Sequence, residues 1–332
     1  MLHAPGAVNT RPLHLEERLA PEPGPDEVRV RVNANAVCRT DLHVVEGDLD
    51  LPHLPVVPGH QVVGTVEAVG SDCTTLQLGD RVGVAWLHRT CRECAACVRG
   101  DENLCERPMF TGWTVDGGYA DALTVPEAFA VRLPDAVDDL QAAPLLCAGV
   151  IGYRALRRAE VQPGESVALL GFGASAHVTI QVLLHWGCRV AVLTRGEKHR
   201  TLARDLGAAF VGEVDDTPPF AIDRVVNFTP AGDTVPRSLD LVRPGGTVAL
   251  AGIHMSTIPA FEYKRLWGER SLRSVANMTR RDAVELMELA AEANIRTEIE
   301  VYDFDAVADA LIAVKLDRVR GAAVIDVAGS RR

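Results

Sequence analysis

No run of the roughly 18 apolar residues that a membrane helix requires occurs in this 332-residue chain, so no transmembrane segment is expected. No charged head followed by an apolar stretch opens it. Met1-Leu2-His3-Ala4-Pro5-Gly6 lacks the pattern of a secretory signal, and a cytoplasmic location is the default expectation. A block of lysine and arginine is missing too. With a formal net charge of −11, general nucleic-acid binding is not expected, and the acidity reads as solubility. Internal repeats and low-complexity linkers are absent. At 47% hydrophobic and 24% charged residues, long disorder is not expected either. What is there is a chain longer than one usual hydrophobic core, which predicts two domains. It carries eight cysteines, and in a reducing compartment metal ligation explains them better than disulfides.

Two styles of sequence follow one another. Residues 1–35 hold turn signals at Pro21, Pro23, Gly24 and Pro25 before Val28-Arg29-Val30-Arg31-Val32, whose alternation predicts a half-buried strand. Residues 55–85 continue in that style, with Val62, Val63, Val66 and Val69 punctuated by Gly59, Gly64, Gly70 and Gly79. The stretch 86–118 has no clear period and needs something besides a core to order it. After about residue 150, short apolar runs at 166–170, 189–193, 224–228, 247–251 and 272–276 alternate with helical segments at 174–186 and 197–206. Gly187 and Gly207 stop these two helices. Such alternation predicts a parallel sheet with right-handed crossovers. A further helix is expected at 280–293 and a last strand at Ala322-Ala323-Val324-Ile325.

Cys91, Cys94, Cys97 and Cys105 form C-x2-C-x2-C-x7-C inside the aperiodic stretch. Four thiolates so spaced can enclose one tetrahedral zinc ion with no open position, and the ion would order a lobe that apolar burial cannot. An iron–sulfur cluster is the alternative occupant. Cys38, His60 and Cys147, taken one by one, read as a small buried hydrophobe, a turn residue and another buried thiol.

Their contexts say more. Cys38-Arg39-Thr40-Asp41-Leu42-His43, Pro58-Gly59-His60, the four-cysteine stretch, Gly117-Gly118-Tyr119-Ala120 and Pro144-Leu145-Leu146-Cys147-Ala148-Gly149 occur in this order. Together they resemble the zinc-containing medium-chain alcohol dehydrogenases over nearly the whole chain. The resemblance implies that Cys38, His60 and Cys147 hold a catalytic zinc, with the fourth position open to water or the substrate oxygen. It implies that Asp41 orients the ligand histidine, although Asp41 could equally be a helix N-cap. Thr40 would take the substrate proton, and His43 would pass it to solvent by way of the cofactor ribose. Arg39 would contact the cofactor pyrophosphate. One departure stands out: the family commonly has Glu after the ligand histidine, and this chain has Gln61.

Ser166-Val167-Ala168-Leu169-Leu170 leads into Gly171-Phe172-Gly173-Ala174-Ser175-Ala176 and then a helix. This G-x-G-x-x-A lies in the strand–turn–helix setting that gives a dinucleotide loop its meaning. Gly171 would permit the turn, Gly173 the approach of a pyrophosphate, and Ala176 close helix–strand packing. The next strand ends at Thr194-Arg195, with His199 and Arg200 close by, where an NAD site usually places a carboxylate. A 2′-phosphate would meet a hydroxyl and a cation there, so NADP(H) is preferred over NAD(H). Alternatively, Arg195 is a solvated charge or a stacker on adenine that serves either cofactor. By the family pattern, Phe228-Thr229, Gly252-Ile253-His254, Asn277 and Arg320 also reach the cofactor.

The expected architecture is α/β. A β-rich, GroES-like catalytic domain takes residues 1–147, with a metal lobe at about 86–118. A Rossmann domain with a six-stranded parallel sheet takes 148–276, and 277–332 returns to the first domain. The resemblance places the active site in the cleft between domains and suggests a shortened first strand, since relatives begin a few residues earlier. It implies two zinc ions per chain and hydride transfer between NAD(P)(H) and an alcohol, aldehyde or ketone, in a homodimer or homotetramer. The alternatives are a reductase of activated C=C or C=N bonds, from which relatives often drop the zinc ligands or the proton relay, and a non-catalytic nucleotide-binding scaffold. Trp86, Phe110, Trp113 and Leu123 are candidates for an apolar pocket or for core. Cys73 and Cys188 read as free thiols.

Overall fold

The computed structural model describes residues 1–253 and 255–331, the side chain of Arg331 excepted. They cluster as two compact units. One comprises Met1–Cys147, Asn277–Ala291 and Arg296–Arg332, the other Ala148–Ala276 and Glu292–Ile295.

The first unit runs through β1 (Glu27–Val37), α1 (Arg39–Glu46), β2 (Gln61–Val69), β3 (Arg81–Val84), β4 (Leu87–Arg89), α2 (Ala95–Val98), β5 (Met109–Phe110), β6 (Ala122–Pro126), β7 (Ala130–Arg132) and α3 (Asp139–Ala142). The second holds α4 (Ala148–Ala159), β8 (Ser166–Leu170), α5 (Ala174–His185), β9 (Arg189–Leu193), α6 (Glu197–Asp205), β10 (Phe210–Gly212), β11 (Ile222–Asn227), α7 (Thr234–Leu241), β12 (Val242–Leu250) and β13 (Ser271–Ser274). After it come α8 (Arg280–Glu292), β14 (Ile299–Asp303), α9 (Val307–Lys315) and β15 (Ala322–Asp326).

β1 organises the first unit. Val28, Val30 and Val32 are fully buried, while Arg29 and Arg31 alternate with them outward. The sheet order is β14-β15-β1-β2-β3-β7, with β6 also on β1; β14 and β15 are parallel and the other pairs antiparallel. Close approach explains Gly64, whose Cβ would lie 2.2 Å from the Arg31 carbonyl oxygen across the ladder. β1 gives way to α1 at Cys38. Its sulfur accepts from the Thr40 N–H while the Asp41 carboxylate accepts from the Cys38 N–H, a reciprocal cap. Gly47, at φ 80°, stops the helix.

The second unit is a six-stranded sheet in the order β10-β9-β8-β11-β12-β13, parallel throughout. Its strands are short apolar runs because both faces are covered. Leu170, Leu193, Val225 and Val248 are wholly buried, each worth on the order of 2 kcal/mol of burial. α4 packs on α5 so tightly at Gly152 that a Cβ there would meet Thr179 Oγ1 at 2.0 Å. No described helix is long and apolar enough to cross a membrane.

Candidate functional site

α1 and the start of β2 bring distant residues together. Cys38 caps α1, His60 immediately precedes β2, and Cys147 ends the turn after α3. Their Sγ and ring nitrogen atoms all lie within 4.8 Å of one another, and Cys38 Sγ is 3.5 Å from His60 Nε2. A sulfur and an imidazole nitrogen on one tetrahedral zinc ion stand about 3.5 Å apart, so the donor set fits that ion. His60 Nδ1 donates to Asp41 Oδ1 at 2.8 Å, which leaves Nε2 as the free lone pair beside Cys38. Asp41 is thus both the carboxylate behind the histidine and the capping-box residue of α1, while Cys38 itself is the N-cap.

The electrostatics agree with a cation site. Burial disfavours the His60 imidazolium, but the Asp41 carboxylate and the Cys38 thiol outweigh it and raise its pKa to about 10. Cys38 is pulled well below the ordinary thiol range, first by the Cys147 hydrogen bond, and Cys147 is pushed well above it by the same bond and by burial. The pocket draws in positive charge to balance a thiolate and a carboxylate.

Thr40 and His43 lie three residues apart on α1 and so on one face. His43 is half-buried, with Nδ1 bonded to Asp48 Oδ2 at 2.7 Å. Arg39 is exposed at the first turn. Trp86 meets His60 edge-on at a centroid distance of 4.9 Å and stacks on Phe110 (5.2 Å) and Trp113 (5.7 Å), giving a half-exposed aromatic wall beside the three donors. Leu123, by contrast, is buried on β6 opposite Val30 and belongs to the core. Gln61 is buried, and its amide nitrogen has no hydrogen-bond partner among the described residues.

The four cysteines of the lobe also converge. Cys105 Sγ is 3.5 Å and Cys97 Sγ 3.9 Å from Cys91 Sγ, against the ~3.8 Å edge of a zinc–thiolate tetrahedron. Backbone N–H groups of Glu93 and Cys94 lower the Cys91 pKa to about 6. Cys73 and Cys188 stand apart as unpaired thiols, Cys188 buried.

In the second unit, Gly171 turns the chain at φ 81°, and Gly173 is the N-cap of α5. A Cβ on Gly173 would meet nothing within 4 Å, so the space it would fill, above the helix N-terminus, is open to a pyrophosphate. Ala176 is fully buried. Thr229 and Gly252 flank the loop: Thr229 Cγ2 would be 3.1 Å from a Cβ on Gly171, and the Thr229 carbonyl 2.2 Å from one on Gly252. Phe228 N donates to the Leu170 carbonyl, and Ile253 is exposed. His254 lies outside the described residues. Thr194 is buried, its hydroxyl 3.4 Å from the Arg195 carbonyl, and Arg200 is held by Glu197 and Glu213. Arg195 is the exposed cation at this strand end and makes no ion pair among the described residues. Asn277 adopts φ 56°, and Arg320, in the first unit, is tied to Glu300 through its N–H and faces Glu298.

Sequence reasoning gave no role of its own to Tyr119. Its ring is buried against Gly59, and no spacing or periodicity marks it.

The alcohol dehydrogenase GroES-like domain family matches residues 24–135, and the zinc-binding dehydrogenase family residues 176–292. The chain is 46% identical over 327 residues to the probable alcohol dehydrogenase AdhA of Mycobacterium tuberculosis, covering 97% of this chain and 94% of that one. It is 35% identical to an alcohol dehydrogenase of Geobacillus stearothermophilus, covering 96% and 97%. The solved cinnamyl alcohol dehydrogenase of Sorghum bicolor superposes with a TM-score of 0.88 at 29% identity, covering 98% of this chain and 97% of that one. Family matches in both units, relatives that span almost the whole chain and a common fold agree: this chain belongs to the zinc-dependent medium-chain alcohol dehydrogenases.

Proposed function

We propose that the chain reversibly oxidises a primary or secondary alcohol to an aldehyde or ketone, with two zinc ions per chain and NADP(H) preferred over NAD(H). The observation that carries this reading is the Cys38, His60 and Cys147 set, its donor atoms within 4.8 Å of one another, with buried Asp41 behind His60: three such donors on a zinc ion leave one position for a substrate oxygen. When bound, the zinc supplies Lewis acidity to that oxygen and the nicotinamide exchanges the hydride.

The chain's own residues do the rest. Asp41 fixes the His60 tautomer. The Thr40 hydroxyl accepts the alcohol proton and hands it along α1 to His43, whose Nδ1 is bonded to Asp48. The wall of Trp86, Phe110 and Trp113 offers an apolar face to the substrate. The four-cysteine set, with no open position, suits the second, structural ion. Gly171, Gly173 and Ala176 would seat the pyrophosphate, with Arg39 and Arg320 as further contacts, and Arg195 would meet a 2′-phosphate. Eight cysteines without a disulfide suit a cytoplasmic setting, and the family resemblance favours a homodimer or homotetramer.

Metal analysis together with initial rates of aldehyde reduction by NADPH and NADH tests the reading. Two zincs per chain and faster turnover with NADPH are expected. Faster turnover with NADH would overturn the cofactor preference. No turnover by zinc-replete protein with either would overturn the activity.

A further inference from the structure

Asp41 is a buried carboxylate with two hydrogen bonds accounted for, from His60 Nδ1 and from the Cys38 N–H, both at 2.8 Å. A carboxylate offers about four lone-pair sites, and in a dry setting those left over are costly. Tyr119 is the complement. Its hydroxyl is buried and meets no partner at hydrogen-bonding geometry among the described residues. The Asp41 carboxylate, with Cys38, supplies the negative charge that acts on it.

The backbone puts it there. Gly117, Gly118 and Tyr119 donate to the carbonyls of Val57, Gly59 and Pro58 at 2.7, 2.9 and 3.0 Å, stapling this segment to the loop that delivers His60. Gly59, at φ 97°, has no room for a side chain because Tyr119 Cδ1 would lie 2.8 Å from its Cβ. The ring therefore lies against the residue that precedes the histidine, and its hydroxyl shares a dry pocket with the carboxylate that orients that histidine.

We propose that Tyr119 is a positioning residue whose hydroxyl donates to the Asp41 carboxylate, directly or through one buried water, and so holds His60 in its metal-ligating orientation. The proposal rests on the reading of Cys38, His60 and Cys147 as zinc ligands. It adds a member to that site which touches neither substrate nor metal. A hydrogen bond at this remove strengthens the imidazole as a ligand by holding its carboxylate partner in plane; partners of this kind typically govern metal affinity by about 10- to 100-fold.

The test is zinc affinity, measured by chelator competition on the zinc-loaded full-length chain, with Cys147→Ser marking which ion belongs to this site. Tyr119→Phe keeps the ring and removes only the hydroxyl. The expected result is a roughly tenfold or greater loss of affinity at the Cys147-dependent site, with the four-cysteine site unchanged as internal control. In an Asp41→Asn background the same change should add less than about twofold, since the two act through one bond. Affinity within about twofold of the parent would overturn the proposal, as would an equal loss in the Asp41→Asn background. Loss of both ions together would also overturn it, by making Tyr119 a packing residue. Should Cys147→Ser keep both ions, the ligand reading itself falls, and that failure is distinguishable from failure of the Tyr119 proposal.

Discussion

The two donor clusters of the first unit are built in opposite ways. The four cysteines come from one short stretch, 91–105, which holds a single turn of α-helix. Cys38, His60 and Cys147 come from three remote points of the chain, joined only once the sheet has formed, and stand against a fully buried carboxylate. On the two-zinc reading proposed above, the lobe would need an ion in order to have a structure, and the remote set would need a structure in order to hold an ion. That difference should separate their failures. Cys147→Ser should lower turnover on the order of a thousandfold, because several kcal/mol of transition-state stabilisation depend on the metal. Thermal stability and the lobe's ion should stay near those of the parent. Cys94→Ser should do the reverse: one zinc lost, rapid proteolysis within 91–105, a lower Tm, and turnover per folded molecule within about tenfold. Fully folded Cys94→Ser protein that is as inactive as Cys147→Ser would break the contrast.

A second contrast lies in two histidines buried to a similar degree. His60 has a carboxylate beside it, and its pKa rises; His88, on β4 near the lobe, has none close enough, and burial lowers its pKa to about 4. The sign of the effect on stability follows. Folded His88 resists protonation while the unfolded chain takes up a proton near pH 6.5, so its contribution is intact above that pH and is lost as the pH falls from about 6.5 to about 4. The ceiling is about 3 kcal/mol. Unfolding curves of the parent and of His88→Gln across this window are expected to converge toward pH 4. Parallel curves would mean that folded His88 takes up its proton as readily as the unfolded chain does.

These contrasts also explain what could be read from the residues alone. The lobe was legible because its ligands are local and spacing is a local property. The dinucleotide loop was legible for the same reason, since β8, the glycines and α5 are contiguous. The remote donors were not legible from spacing, and only resemblance joined them, because nothing in the neighbourhood of Cys147 announces His60. The second sheet matched its apolar runs to within a few residues. Among the elements not foreseen are helices α4, α7 and α9 and the strands β10 and β14. α9, Val307–Lys315, is apolar nearly all round and shows little periodicity, while α7 carries Pro236 in its first turn, where proline is tolerated but reads as a breaker. Thr194 illustrates a finer limit: sequence supplies the hydroxyl but not its direction, and here it turns toward the Arg195 carbonyl.

The aromatic wall gives the next smaller effect. Trp113 stacks on Trp86 at an interplanar angle of 8° and is half-exposed, so it is available to a flat substrate in a way that buried Leu123 is not. Trp113→Ala is expected to raise KM for an aromatic aldehyde by about fivefold and for a two-carbon aldehyde by less than about twofold, in keeping with ring–ring contacts of about 1 kcal/mol. Equal shifts for both would assign Trp113 to packing rather than selectivity.

The smallest effect separates two arginines at one strand end. Arg200 already satisfies Glu197 and Glu213, so its charge is neutralised locally, whereas Arg195 has no acidic partner among the described residues and remains in solvent. An exposed cation facing a phosphate contributes only about 1 kcal/mol, because water and salt screen the pair. Arg195→Ala should therefore lower the NADPH-to-NADH ratio of kcat/KM by about fivefold, and less at high ionic strength. Arg200→Ala should leave that ratio within about twofold while lowering Tm slightly, through loss of its two ion pairs. If Arg200 moved the ratio and Arg195 did not, the 2′-phosphate would have to displace Glu197 or Glu213 from Arg200. Preference for NADPH would then rest on an exchange of partners rather than on a free charge, and raising the salt concentration would alter it much less.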